Sequence, residues 1–497
     1  MAGSMSPTEK LRPGVSGMSL YVPTLRVPLE AWCEWTGNQW PKVQAVVGNS
    51  FRVTAPDENV YTLAATAVLR LIRQYGIDPT RVGSLALGTE TSTDNSAGSV
   101  ILRGMVDRAL ESLGMPRLSR SCEVPEVKHA CLGGVYAMKA ATRYLALDGA
   151  DKVAIVVCAD IAEYERGSTG EQTQGAGAIA LLLEPRARLF ELDLAHAGSA
   201  SDYRGPDFRK PHARHLVESY ATRTKRQHDF PVFSGKYSTI AYLEETMRAF
   251  EDMSSRFGIP SLELLRGAEA LFFHRPYHHM PAQAAAFLYL RALLEAPAEG
   301  TTVLALCREA GVSREALDAE SRSRPDLYSR VLEGKADVDP FPVTSQVIGL
   351  LRKSGEFKKF LETKMSLGSR GAAELGNLYT AALPAWMAAG FEEALTRNID
   401  LSEKRLLALG YGSGDAAEAV PIRMVPNWTE AAKNIGFAAS LKGAHDITRD
   451  QYESLHDTAS ALDLPAMPGN RFRIASVGQR YEPNFQDLGV EYYEYVS

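Results

Sequence analysis

The chain has 497 residues and a formal net charge of −6 at pH 7, with 45% hydrophobic and 23% charged residues. That balance is ordinary for a soluble globular protein with room for more than one domain. The acidic excess excludes a general attraction to nucleic acid or anionic membrane, so any anionic ligand needs a local basic cluster.

Residues 1–17, MAGSMSPTEKLRPGVSG, lack an apolar core and read as a flexible leader. Short aliphatic runs closed by polar or glycine turns predict buried parallel strands over 82–91, 152–160, 177–184, 270–276 and 405–414. Helical patterns fall between them, over 59–76, 134–149, 281–296 and 378–395. Strands alternating with helices imply an α/β fold. The order strand, helix, strand, glycine turn, strand occurs twice, which suggests two related halves, 18–190 and 261–497. Residues 191–260 break the rhythm with charge, His, Tyr and Ser. Residues 297–372 are helical and charged. Both read as insertions that cap a site or form partner surface. The longest apolar runs are too short to span a bilayer.

Five cysteines (Cys33, Cys122, Cys131, Cys158 and Cys307) are widely spaced without a CxxC pair. This argues against a zinc or disulfide framework and suits a reducing cytoplasm. Cys131, in EVKHACLGG, stands at a strand-to-helix transition, where a helix N-terminus favours thiolate and Gly133 and Gly134 permit close approach. Cys158 and Cys307 lie in apolar runs and read as core thiols. Glu90 closes an apolar strand in LALGTETSTD; burial there would raise its pKa into a range useful for proton transfer. His274 follows the apolar run ALFF, beside Pro276. His278 and His279 make a weak metal signal. The turns QGAGA and GYGSG match no nucleotide-binding fingerprint and read as turns that present backbone N–H groups to an oxyanion.

Together these segments resemble the 3-hydroxy-3-methylglutaryl-CoA synthase family of the thiolase superfamily. The similarity runs in order through GTET, EVKHAC.GG, ADIAEY, TQGAGAIALLL, DFRKP, FPVFSGKYSTIAYL, FFHRPYHHM, GNLYTAAL and GYGSGDAAE. The resemblance implies duplicated βαβαβαββ halves in a five-layered α-β-α-β-α core with helical insertions, assembled as a homodimer. It implies that Cys131 is acetylated by a thioester, that Glu90 removes a proton from the acetyl methyl, and that His274 and Asn377 hold the acceptor ketone. Backbone N–H groups of Cys131 and Ser413 would form the oxyanion hole; Asp160, Thr173 and Tyr379 would shape the site. Lys210, Lys236 and Arg275 would be anchors for CoA or pantetheine phosphates. No metal or redox cofactor is required.

The chain departs from the family at Leu132, where an aromatic residue is usual, and after FFH, where a lysine is usual. Leu132 would alter acyl packing and Arg275 would substitute for the lysine. Pro384 would kink the helix after GNLYT. The implied substrates are acetyl-CoA and acetoacetyl-CoA. The alternative is a polyketide β-branching synthase working on acyl-carrier proteins. A non-catalytic thiolase-fold scaffold is a third reading, opposed by the retained Cys131, Glu90 and His274.

Overall fold

Two series of strands and helices, alike in order, build the core of the computed structural model, which describes residues 11–497 apart from 95, 96, 218, 221–223, 225, 227, 228 and 233. The first runs β1 (Gly14–Tyr21), α1 (Val60–Tyr75), β2 (Val82–Gly88), α2 (Gly98–Ser112), β3 (Glu126–Val127), α3 (Gly133–Ala146), β4 (Val153–Ala162) and β5 (Gly175–Glu184). The second runs β6 (Phe190–Leu192), β7 (Gly198–Ser201), α4 (Gly235–Phe257), β8 (Leu271–Phe273), α5 (Met280–Glu295), α6 (Ala382–Thr396), β9 (Arg405–Gly412) and β10 (Ala416–Met424). Local chemistry sets the ends. Asn59 caps α1 by accepting from the N–H groups of Tyr61 and Thr62, and Gly76, at φ 58°, ends it.

The strands form one sheet in the order β8-β9-β10-β6-β1-β5-β4-β2-β3, with β7 on β10. The half-order β2-β4-β5-β1 is repeated as β8-β9-β10-β6, and the halves join where β1 meets β6. Pairing is mixed. β2 and β4 are parallel, as are β8 and β9, but β5 and β10 return antiparallel to β4 and β9. The all-parallel expectation therefore fails for 177–184: residues 163–174 before it form only a short 3-10 turn and no crossover helix, and the strand returns antiparallel.

The strand period of two divides the core. Along β4, Ala154, Val156 and Cys158 join the apolar cluster shared by both halves, whereas Ile155, Val157 and Ala159 pack under α1 and α2. α3 and α6 lie between the half-sheets, and α4 covers the outer side of β9 and β10, giving five layers.

Three expectations are corrected. Residues 14–17 are not leader: they open β1, and Val15 is fully buried. Glycines and serines dilute the strand's apolar signal because the space is needed; a Cβ on Gly17 would lie 2.6 Å from the Tyr75 ring. Residues 1–10, the rest of that leader, lie outside the described residues. The segment 191–260 is not an insertion throughout: β6, β7 and α4 belong to the second half, α4 occupying the place of α1. Its charge misled because Glu244 and Glu245 of α4 are buried against Arg204. Pro384 does not kink α6, because it falls in the first turn, where its missing N–H has no helical partner to lose. Residues 300–372 run as six short helices between α5 and α6. No helix among the described residues is long and apolar enough to cross a membrane.

Candidate active site

Cys131 sits just before α3, and Ala130 precedes it in the left-handed region at φ 42°. Close packing fixes this corner. A Cβ on Gly88 would lie 2.5 Å from Gly134 Cα, and one on Gly134 would lie 2.3 Å from Cys158 Sγ. Only glycine lets the first turn of α3 press onto the ends of β2 and β4. Gly133 and Gly134 thus serve backbone packing, not substrate access.

The thiol of Cys131 donates to Glu90 Oε2 at 3.6 Å. Glu90 is held from beneath by Asp160, which is fully buried at the end of β4. Asp160 Oδ1 accepts from the N–H groups of Glu90 (2.7 Å) and Thr91 (3.0 Å) and from the hydroxyls of Thr89 (3.0 Å) and Thr91 (2.8 Å). Its Oδ2 accepts from Thr380 N at 2.9 Å and Thr380 Oγ1 at 2.5 Å. One carboxylate thereby ties the Glu90 loop of the first half to the 377–380 turn of the second.

That turn carries Asn377, whose N–H donates to the Thr173 carbonyl at 3.0 Å. Asn377 Oδ1 accepts from Tyr379 N at 2.9 Å, and its Nδ2 donates to Tyr164 OH at 3.5 Å. Thr173 Oγ1 is taken up by the Gly170 carbonyl, so Thr173 holds the turn mainly through its backbone. His274 follows β8; its N–H donates to the Leu409 carbonyl and its own carbonyl accepts from Tyr242 OH. Cys131, Thr173, His274, Asn377, Tyr379 and Ser413 all line one cavity of about 400 Å³. Glu90 and Ser413 line a neighbouring open cavity together with Lys210.

Burial governs the electrostatics. It pushes the Cys131 thiol well above its ordinary range, and the carboxylates of Glu90 and Asp160 push it further. The expectation of a thiolate at rest fails here: desolvation and nearby acids outweigh the helix terminus. Burial, then the charge of Asp160, raises Glu90 to about 8, with Lys210 pulling the other way. Burial lowers His274 to about 3, leaving a neutral ring.

Lys236 is exposed at the cavity, its Nζ donating to the Asp337 carbonyl at 2.7 Å. Arg275 is not an anchor at this cavity. It is buried, donates to Ser369 Oγ at 3.1 Å, contacts His278 Nδ1 at 2.6 Å, and lies over the Trp386 ring. His279 bonds Arg352, so the adjacent histidines face arginines. Leu132 also points away from the cavity; it is fully buried against β9, where a Cβ on Gly412 would lie 2.8 Å from its own Cβ. It cannot shape acyl packing directly.

Two further liners, Tyr164 in ADIAEY and Phe208 in DFRKP, and the Asp160 partner Thr380 in GNLYT, lie inside the motifs without having a role predicted from the sequence. Tyr164, Phe208 and Tyr379 meet edge to face around Cys131. Phe208 and Thr380 lie two and one positions from Lys210 and Tyr379, whereas Tyr164 lies four from Asp160.

The model for the hydroxymethylglutaryl-coenzyme A synthase N terminal matches residues 11–188. The chain is 26% identical over 402 residues to a hydroxymethylglutaryl-CoA synthase of Haloferax volcanii, covering 80% of each chain. It is 24% identical over 474 residues to that of Saccharomyces cerevisiae, 90% of this chain and 82% of the relative. Among solved structures, MvaS in complex with 3-hydroxy-3-methylglutaryl coenzyme A superposes with a TM-score of 0.75 at 25% identity, covering 98% of this chain and 100% of that one. The curacin pathway HMG synthase in complex with acetyl donor-ACP shares the fold, with a TM-score of 0.67 at 18% identity and the same coverage. Residues 11–188 thus match the N-terminal model of the hydroxymethylglutaryl-CoA synthases, and the chain is similar to these enzymes over most of its length and has their thiolase-like fold.

Proposed function

We propose that the protein is an acyltransferase that condenses an acetyl thioester with an acetoacetyl thioester and hydrolyses the adduct to a 3-hydroxy-3-methylglutaryl thioester. The observation that carries this reading is the convergence of Cys131, His274 and Asn377 on one cavity with Glu90 3.6 Å from the nucleophile. Cys131 attacks the acetyl thioester, and its proton ends on the departing sulfur. The acetyl methyl then lies beside Glu90, which takes a proton from it. The carbanion equivalent adds to the acceptor ketone, whose oxygen is met by the neutral His274 ring and the Asn377 amide. Backbone N–H groups of Cys131 and Ser413 are assigned to the thioester oxygen; one such donor is worth about 3 kcal/mol of barrier. Water finally cleaves the Cys131 thioester. The reading includes a homodimer in the cytoplasm, which sedimentation of the full chain checks for its oligomeric part.

Free CoA esters are the first choice of substrate, supported by the MvaS likeness at 25% identity. Carrier-protein thioesters are the second, and the burial of Arg275 favours them, because a pantetheine arm without the nucleotide needs no further phosphate anchor. The test offers acetyl-CoA and acetyl-carrier protein in parallel and reads acetyl-enzyme by intact mass. Label from acetyl-CoA that disappears in Cys131→Ala is expected. Label from the carrier protein alone replaces the first choice with the second, and equal label on Cys131→Ala rejects the acyl-enzyme.

A further inference from the structure

Away from the active site, a separate cavity of about 380 Å³ opens between the end of β1, α1, the strand Ser50–Val53 and the C-terminal loops. In a chain of net charge −6 its lining is basic: Arg52, Arg70, Arg471, Lys442 and His445, with no carboxylate among its described lining residues. Arg471 is neutralised, donating to Asp57 at 2.7 Å. The nearby carboxylates of Asp446 and Glu374 are engaged by Arg26, at 2.6 and 3.9 Å. Arg52 and Arg70 make no ion pair with a carboxylate among the described residues.

Arg52 is 3% exposed. Its guanidinium donates only to the carbonyls of Pro23 (3.1 Å) and Leu441 (3.3 Å), and its buried Nε has no partner. Arg70 lies over the Tyr21 ring, 4.7 Å from the centroid. Burial lowers both, Arg52 to about 10; Glu374 and Asp446 pull Arg52, and Glu58 pulls Arg70, the other way without offsetting it. An unpartnered buried N–H is costly, and such donors are normally satisfied by water or a ligand.

We propose that this cavity binds a small phosphorylated anion, with Arg52 and Arg70 holding the phosphate at its buried end and Lys442 closing the exposed end. Planar guanidinium forks match phosphate oxygens, and the volume falls in the range of small-molecule sites, roughly 300–1,000 Å³. Val22, Pro465 and Pro468 supply apolar walls for an organic portion. The site is distinct from the thioester cavity and shares no lining residue with it.

Calorimetric titration of the full chain with inorganic pyrophosphate tests this. One saturable site per chain is expected. Arg70→Gln and Lys442→Ala should each weaken it by about five-fold or more, as expected for loss of a charge-assisted contact. Lys236→Ala, at the thioester cavity, should leave it unchanged. Lys442 is exposed, so its variant keeps the test valid if Arg70→Gln does not fold. No saturable binding up to millimolar pyrophosphate, binding that survives Lys442→Ala unchanged, or binding lost in Lys236→Ala would each overturn the proposal.

Discussion

The Sγ of Cys131 lies 3.6 Å from Oε2 of Glu90, so nucleophile and base touch across the boundary of two adjoining cavities and respond to each other's charge. This contact places the base next to whatever Cys131 carries. Burial, rather than this contact, is the main reason both groups are raised; the thiol's hydrogen bond by itself lowers Glu90.

Condensation should show a single basic limb. Glu90 must be ionised to act, and its pKa is raised to about 8, so the rate should rise as pH rises through that value. His274, lowered to about 3, is neutral throughout and contributes no limb in the working range. Glu90→Gln should retain acetyl-enzyme and lose condensation by about 10²–10⁴-fold. Acetylation by intact mass and condensation by consumption of the acetoacetyl thioester separate the two steps.

Asp160 is a positioning residue, and Asp160→Asn should reveal it in the pH profile. The charge of Asp160 raises Glu90, so removing it moves the basic limb to lower pH. An amide in its place also presents N–H groups to the donors that Asp160 now accepts, costing about 2 kcal/mol or more of stability. A limb that stays at the wild-type position contradicts the assigned coupling.

Leu132→Ala should cost about 2–5 kcal/mol, because the side chain is fully buried against β9. KM for either thioester should hold, since Leu132 does not line the cavity. Denaturation midpoints and steady-state kinetics on the same preparations decide it.

Gly376→Ala should damage catalysis through the backbone. Gly376 has φ 72°, and a Cβ there would lie 1.9 Å from the Gln174 carbonyl oxygen. The neighbouring Asn377 must shift, so kcat should fall together with about 1–3 kcal/mol of stability. Full activity in this variant would show that Asn377 need not be held where it is.

Arg204→Met should be among the most destabilising single changes, about 3–5 kcal/mol. Arg204 is fully buried and ion-paired with Glu244, Glu245 and Asp415. Burial already raises Asp415, to about 8, and Glu245. Without the arginine their folded-state pKa values rise further above the unfolded ones. The native state then binds more protons than the unfolded one, so the variant should regain stability as pH falls and lose it as pH rises. Melting temperatures from pH 5 to 8 give the sign.

What the sequence determined by itself was local or ordered along the chain. Strand and helix periods located β2, β4, α1 and α3, because side-chain direction repeats every 2 or 3.6 residues whatever lies opposite. The ordered motifs gave the family resemblance and named Cys131, Glu90, His274 and Asn377. Tertiary structure alone decided which of those residues meet. Arg275 and Lys236 look alike as candidate anchors in the sequence, yet one is buried on Trp386 and the other stands at the cavity. Leu132 adjoins the nucleophile in sequence and faces the opposite way, because successive residues at a helix start point in different directions. The raised pKa of Glu90 and the neutral thiol of Cys131 are likewise nonlocal, set by water excluded and by carboxylates brought together by the fold.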